Sequence, residues 1–258
     1  MGNLSRMALQ VERVPTLSDN YTYLAYCDES KAAAVIDAAE ADPVLVRISN
    51  LGLNLTSIFS THHHLDHTAG NPDIAKATGA LIYAHADNEG RLPGLTNGLR
   101  EGDTVQIGPH TGRVLEIPAH TMDHIAFYFD DGPLVFCGDT MFAGGCGRLF
   151  EGTPALMFEA LHEKLGGLPA ETRVYCGHEY TEANLQFASE ISPDNLEIAE
   201  RLAAVQEIRK GAAENWHDAK SAEMTIPTTI GQEYKTNPFL LAPTVEELAR
   251  IRALKDEW

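Results

Sequence analysis

Up to about residue 178 the chain alternates short apolar runs with turn-forming residues. Residues 8–14, 21–26 and 32–36 read as strands with turn signals between them, and the third ends in Asp37. Residues 43–51 carry helical spacing that stops at Gly52. An apolar strand at 55–60 follows. Further strands are expected at 80–84, 103–107, 112–117, 125–129, 133–137 and 173–176, with a hairpin turn at Asp130-Asp131-Gly132 and a helix over 154–165. From residue 180 the character changes. Residues 180–214 are rich in Ala, Glu, Leu and Ile at helical spacing, and 244–256 are again helical, with Val245, Leu248 and Ile251 three apart. The pattern predicts an α/β domain over 1–179 and a small helical domain over 180–258, without internal repeats.

Composition narrows the classes of function. The 258 residues are 44% hydrophobic, enough for a sizeable core. The net charge of -18 argues against nucleic acid or an anionic membrane as a partner. An anionic small molecule would need local cations to draw it in. Cys27, Cys137, Cys146 and Cys176 form no CxxC pair and read as bystander thiols in a reducing cytoplasm. No apolar run approaches a membrane span. Met1–Arg6 has no export-signal pattern, and Met7 is a second candidate start. A monomer is the expected form.

The chemistry is concentrated in Thr61-His62-His63-His64-Leu65-Asp66-His67, which follows an apolar strand. Imidazole and carboxylate are ligands for divalent transition metals. If extended backbone persists to residue 64, His62 and His64 share one face and His63 takes the other. Asp66 and His67 then follow at a turn into a helix, where they can serve a second position. Three more candidates recur just past strand ends: His120, Asp139 and His178. Each alone is a common turn or loop residue; together with the upstream segment they form a metal constellation. His85, His110, His162 and His217 read as ordinary hydrogen-bonding or solvent residues.

This pattern, H-x-H-x-D-H with later strand-end His, Asp and His, resembles the metallo-β-lactamase superfamily. Thr61–Gly70 (THHHLDHTAG), Gly138–Thr153 (GDTMFAGGCGRLFEGT) and Cys176–Thr181 (CGHEYT) are similar to the hydroxyacylglutathione hydrolases, or glyoxalase II. Leu17-Ser18-Asp19-Asn20-Tyr21 and the closing Lys255-Asp256 fit the same family, so the resemblance covers essentially the whole chain. It implies an αββα sandwich with a C-terminal helical domain. It also implies two divalent metal ions, zinc first, with iron or manganese as options. His62, His64 and His120 would hold one ion, Asp66, His67 and His178 the other, and Asp139 would bridge them. Two departures stand out. Asp123 occupies a position in the His120–His124 loop that is often small, and Phe150 stands where some relatives have Tyr.

The implied reaction is hydrolysis of S-D-lactoylglutathione to glutathione and D-lactate, the thioester step of methylglyoxal detoxification, by hydroxide generated on the metals. Asp66 would orient the nucleophile. Asp37 is a candidate acceptor behind a ligand imidazole, or a turn carboxylate. By resemblance, Arg148, Phe150, Tyr180, Arg252 and Lys255 would meet the substrate. Arg252 and Lys255 are neighbours on one helix face, although a basic helix end is also favoured by the dipole alone. The competing readings are a mononuclear-iron persulfide dioxygenase on the same scaffold, a non-catalytic metal-binding protein, and a hydrolase of lactams or phosphodiesters.

Overall fold

The computed structural model describes residues 9–258. Residue 8, the first of the expected opening strand, and the alternative start at Met7 lie outside the described residues. The first sheet is formed by β1 (Gln10–Thr16), β2 (Asn20–Tyr26), β3 (Ala32–Ile36), β4 (Asn54–Phe59), β5 (Leu81–His85) and β6 (Leu95–Leu99), in that order. Its first three strands pair antiparallel, and β3 to β6 pair parallel. Two of the three parallel steps pass through helices, α1 (Asp42–Leu51) and the pair α2 (Leu65–Thr68) and α3 (Asn71–Thr78), while β5 reaches β6 through a short connection with one 3-10 turn at Ala86–Asn88.

The second sheet takes β7 (Thr104–Ile107), β8 (His110–Glu116), β9 (Ile125–Phe129) and β10 (Leu134–Gly138). Beyond a small hairpin of β11 (Met141–Phe142) and β12 (Gly145–Cys146), it is completed by β13 (Arg173–Cys176) and β14 (Thr228–Thr229). The helical elements on this side are α4 (Pro154–Glu159), which widens into a π turn over 160–165, then α5 (Thr181–Ile191), α6 (Leu196–Arg209), α7 (Ile230–Thr236), α8 (Pro238–Leu241) and α9 (Val245–Glu257).

The two sheets pack face to face with helices outside, an αββα sandwich. Phe59 of the first sheet stacks on Phe127 of the second at 5.0 Å between ring centres, and Ile36, Val114, Phe129 and Phe136 are buried in the same layer. Such side chains contribute roughly 1.5–3 kcal/mol each on burial. A second layer lies under α1 and α3, where Val44, Ile48 and Ile74 cover the outer face of the first sheet. Residues beyond 180 do not stand apart. β14 pairs with β13, and the Trp216 Nε1–H donates to Asn20 O at 2.8 Å.

Several elements differ from the sequence reading. The β4 ladder ends at Phe59, so residues 60–64 are loop and not a continued strand. Strand β6 (LTNGL) was not anticipated; it is an edge strand with only its last residue buried. The helical run at 180–214 breaks at Ser192-Pro193-Asp194-Asn195, and Asn195 caps α6 by accepting from Glu197 N–H and Ile198 N–H.

Candidate metal centre

The strands deliver their C-terminal ends to one edge of the sandwich, and the titratable residues collect there. Asp37 follows β3, the histidine segment follows β4, His120 and His124 lie between β8 and β9, Asp139 follows β10, and His178 follows β13. Gly177 makes this convergence possible. A Cβ at that position would overlap Asp139 Oδ1 and His67 Cε1, so the β13 turn approaches the site only as glycine.

The ligand-type atoms form two clusters. In the first, His64 Nδ1 is 3.1 Å from both His62 Nε2 and His120 Nε2. In the second, Asp66 Oδ2 is 3.5 Å from both His67 Nε2 and His178 Nε2. Asp139 lies between them: Oδ2 is 3.6 Å from His120 Nε2 and 3.3 Å from His178 Nε2, and Oδ1 is 3.4 Å from His67 Nε2. Atoms held about 2.0–2.2 Å from a shared ion at tetrahedral angles stand roughly 3.3–3.6 Å apart. His67 Nε2 and Asp139 Oδ1 are buried without a hydrogen-bond partner among the described residues, which is costly unless a cation completes them. The donor set therefore fits divalent metal.

The outward-facing nitrogens are committed elsewhere. His120 Nδ1 donates to Arg148 O at 2.8 Å, His67 Nδ1 to Asp37 Oδ2 at 3.1 Å, and His178 Nδ1 to Asp19 Oδ1 at 2.7 Å. Such bonds fix tautomer and ring angle before metal arrives. Asp37 also accepts from Thr61 N–H and Thr61 Oγ1–H, both at 2.8 Å. It is adjacent to His62 and His67, yet its oxygens are taken up behind the ligands. His63 points away from the clusters and pairs with Asp123.

The electrostatics agree. Burial, helped by neighbouring imidazoles, holds His62, His64 and His120 below the usual histidine value. Burial would also lower His178, but Asp139 and Asp19 outweigh it and bring it up to about 9. His67 is raised by the same balance, with Asp139 and Asp37 overcoming burial. Burial would raise Asp139, but the charges of His178 and His67 outweigh it and hold the carboxyl well below the ordinary range. One carboxylate thus draws protons onto two imidazoles where a cation fits.

A cavity of about 750 Å³ opens over these atoms, lined among others by Phe142, Arg148, Phe150, Tyr180, Asn184 and Lys255. Tyr180 stacks on the His178 ring at 4.7 Å, and Phe150 stands 5.1 Å from His120. Arg148 is exposed at the wall. Arg252 borders the cavity but is largely buried. It donates to Cys146 O at 2.8 Å and meets Asp256 Oδ1 at 3.0 Å, while Asp256 Oδ1 is 3.6 Å from Arg148. Sequence reasoning missed Asp19, Asn20, His124 and Asn184. The first two lie in the quoted LSDNY segment; a lone His at 124 and a helical Asn carry no signal of their own.

The profile of the metallo-beta-lactamase superfamily matches residues 19–178, and that of the hydroxyacylglutathione hydrolase C-terminus matches residues 179–258. A hydroxyacylglutathione hydrolase from Rhodospirillum rubrum is 42% identical, over 97% of this chain and 99% of that protein. One from Rippkaea orientalis is 46% identical, over 90% and 88%. Among solved structures, ETHE1 from Myxococcus xanthus is 25% identical with a TM-score of 0.70, covering 96% of this chain and 90% of that one.

Proposed function

The chain belongs to the hydroxyacylglutathione hydrolase family of the metallo-beta-lactamase superfamily, and from that premise we propose that it hydrolyses the thioester of S-D-lactoylglutathione, releasing glutathione and D-lactate. The observation that carries the reading is the pair of donor clusters joined through Asp139 at the floor of a cavity with cationic walls. We assign His62, His64, His120 and Asp139 to one divalent ion, and Asp66, His67, His178 and Asp139 to a second, with zinc as the first candidate. Bound there, the ions supply Lewis acidity and lower the pKa of water from about 15.7 toward 7.

The side chains do the rest. The Asp66 side chain is 41% exposed, so it meets both the clusters and the cavity and can orient a water by accepting its hydrogen bond. Asn20 Nδ2 steadies it, lying 3.2 Å from Asp66 Oδ2 and 3.1 Å from Asp66 O. Thiolate is a good leaving group, so no protein acid needs to protonate it. Arg148 and Lys255 supply positive charge for the substrate carboxylates in a chain whose net charge is -18. Arg252 supports that wall from behind, and Tyr180 and Phe150 offer ring faces.

The ranges 1–179 and 180–258 are taken as the catalytic and substrate-binding portions, in line with the two profile matches. No helix among the described residues is long and apolar enough to cross a membrane. Four buried free thiols favour a reducing cytoplasm, and a monomer is the form we propose. The test is thiol release from S-D-lactoylglutathione, beside other acyl-glutathiones, on metal-quantified protein. Turnover with about two ions per chain is expected. No thiol release from fully loaded protein would remove the thioesterase reading, and full activity with one ion would remove the two-ion assignment.

A further inference from the structure

We propose that Asp123 is a positioning residue for the metal centre: through His63 it sets the spacing between the two loops that carry His62, His64 and His120. The inference rests on the metal reading of the site and not on the identity of the substrate.

His63 lies between two donor-bearing histidines, yet its ring faces the other way and meets Asp123 Oδ1 through Nδ1 at 2.8 Å. Arg91 Nη2 is 2.8 Å from His63 Nε2. An arginine only donates, so Nε2 is the acceptor and Nδ1 carries the proton that goes to Asp123. The same Arg91 nitrogen is 2.9 Å from Glu151 Oε1, and Glu151 Oε2 accepts from Met122 N–H at 2.7 Å. Asp123, His63, Arg91, Glu151 and the Met122 amide thus form a closed ring of contacts.

That ring joins three segments that border the centre. His63 belongs to the 61–67 segment, Met122 and Asp123 to the loop from His120 to His124, and Glu151 to the loop of Arg148 and Phe150. Asp123 is the buried member, 2% exposed. Its second oxygen has no hydrogen-bond partner within range among the described residues. A buried carboxylate needs partners; Thr121 and Asn88 also lie against Asp123, and His63 is the one that ties it to the 61–67 segment. The donor atoms served by these loops, His64 Nδ1 and His120 Nε2, are 3.1 Å apart. A slip of either loop would open that separation. Partners behind metal ligands typically matter by 10–100-fold in metal affinity. The outer members, Arg91 and Glu151, are more exposed, so their contacts should count for less.

The experiment is a Co²⁺ titration of metal-free protein, read by visible d–d absorption, on wild type, Asp123→Ala, Asp123→Asn and His63→Ala. Asp123→Ala and His63→Ala should weaken Co²⁺ binding at one position by about 10–100-fold and change its spectrum. Asp123→Asn, whose amide oxygen still accepts from His63, should recover most of the loss. In turnover, kcat should fall while KM holds, because Arg148 and Lys255 are untouched. Wild-type affinity and spectrum in Asp123→Ala would overturn the proposal. Equal loss in the Ala and Asn variants at 123 would also overturn it, since charge and not the hydrogen bond would then matter. Should Asp123→Ala fail to fold, His63→Ala decides, its ring being partly exposed. Normal Co²⁺ uptake by a wild type that releases no thiol would sink the thioesterase assignment and leave this one standing.

Discussion

Lys255 carries a pH dependence that follows from where it sits. Its ammonium lies 3.9 Å over the Trp258 ring and 4.9 Å from that of Phe187, and it borders the cavity. Burial, then the nearby Arg252 charge, pulls its pKa down to about 8, with Glu190 opposing. The lowered value means the cation is present below pH 8 and is lost as pH rises through it. The KM for an acyl-glutathione should therefore climb above pH 8, and Lys255→Arg should flatten the climb because arginine stays charged. An identical KM profile in the arginine variant would show that Lys255 is not the titrating contact. At this scale the sequence was most legible where chemistry is dense: His62, His64, Asp66 and His67 announce themselves together. His124 did not. Its role lies in accepting the Asp139 amide at 3.1 Å and stacking 4.6 Å from His62. Burial, then the His120 charge, brings it down to about 3, which keeps it neutral for that purpose. None of this can be read from one imidazole in a loop.

The β11–β12 hairpin bends over the centre and leads into the Arg148 loop, and side chains from far along the chain hold its backbone. Glu233 Oε2 accepts from Gly144 N–H at 2.8 Å and from Asn237 Nδ2 at 2.9 Å. Asn237 Nδ2 also reaches Gly145 O at 2.9 Å, and Asn184 Nδ2 reaches Ala143 O at 3.2 Å. Glu233 is fully buried, and its Oε1 is 2.8 Å from Arg201 Nη2. Glu233→Ala would leave that guanidinium uncompensated, so a loss of about 3–5 kcal/mol in urea unfolding is expected, with a higher KM as the hairpin loosens. A loss under 1 kcal/mol, or an unchanged KM, would mean the hairpin holds its shape without this clamp. The strands that flank the site were legible because their apolar runs end in the functional residues. The clamp was not, since Glu233 reads as an ordinary helical carboxylate and its partner lies 89 positions away. Strand β6 escaped notice for a related reason: its only buried residue is Leu99, too little for an alternation to register.

Across the whole molecule, the portion after residue 179 shares its core with the sandwich. Trp216, Ile226, Phe239 and Leu248 belong to the same buried cluster as Phe127 and Phe136, and only a small group around Leu185 and Ile198 packs by itself. The composition change at residue 180 marks a change of element type, and burial crosses it. The chain should therefore unfold as one cooperative unit. The two tryptophans make this testable, because Trp216 and Trp258 both lie in the later portion. Trp216 packs edge-on against Tyr21 of the first sheet at 5.3 Å, so its fluorescence reports the junction, while far-UV circular dichroism reports all elements. Metal binds the folded form, and removing it should lower stability by about 2.7 kcal/mol for each ion held at 100 times its Kd. For a chain of this size that is roughly 5–10 °C in Tm per ion. Fluorescence and circular dichroism should shift together on chelation, although every assigned ligand precedes residue 179 and both tryptophans follow it. A circular-dichroism transition that moves while the tryptophan transition stays would mean the two portions melt independently. The shared core would then be too weak to couple the metal centre to the helices that complete its cavity.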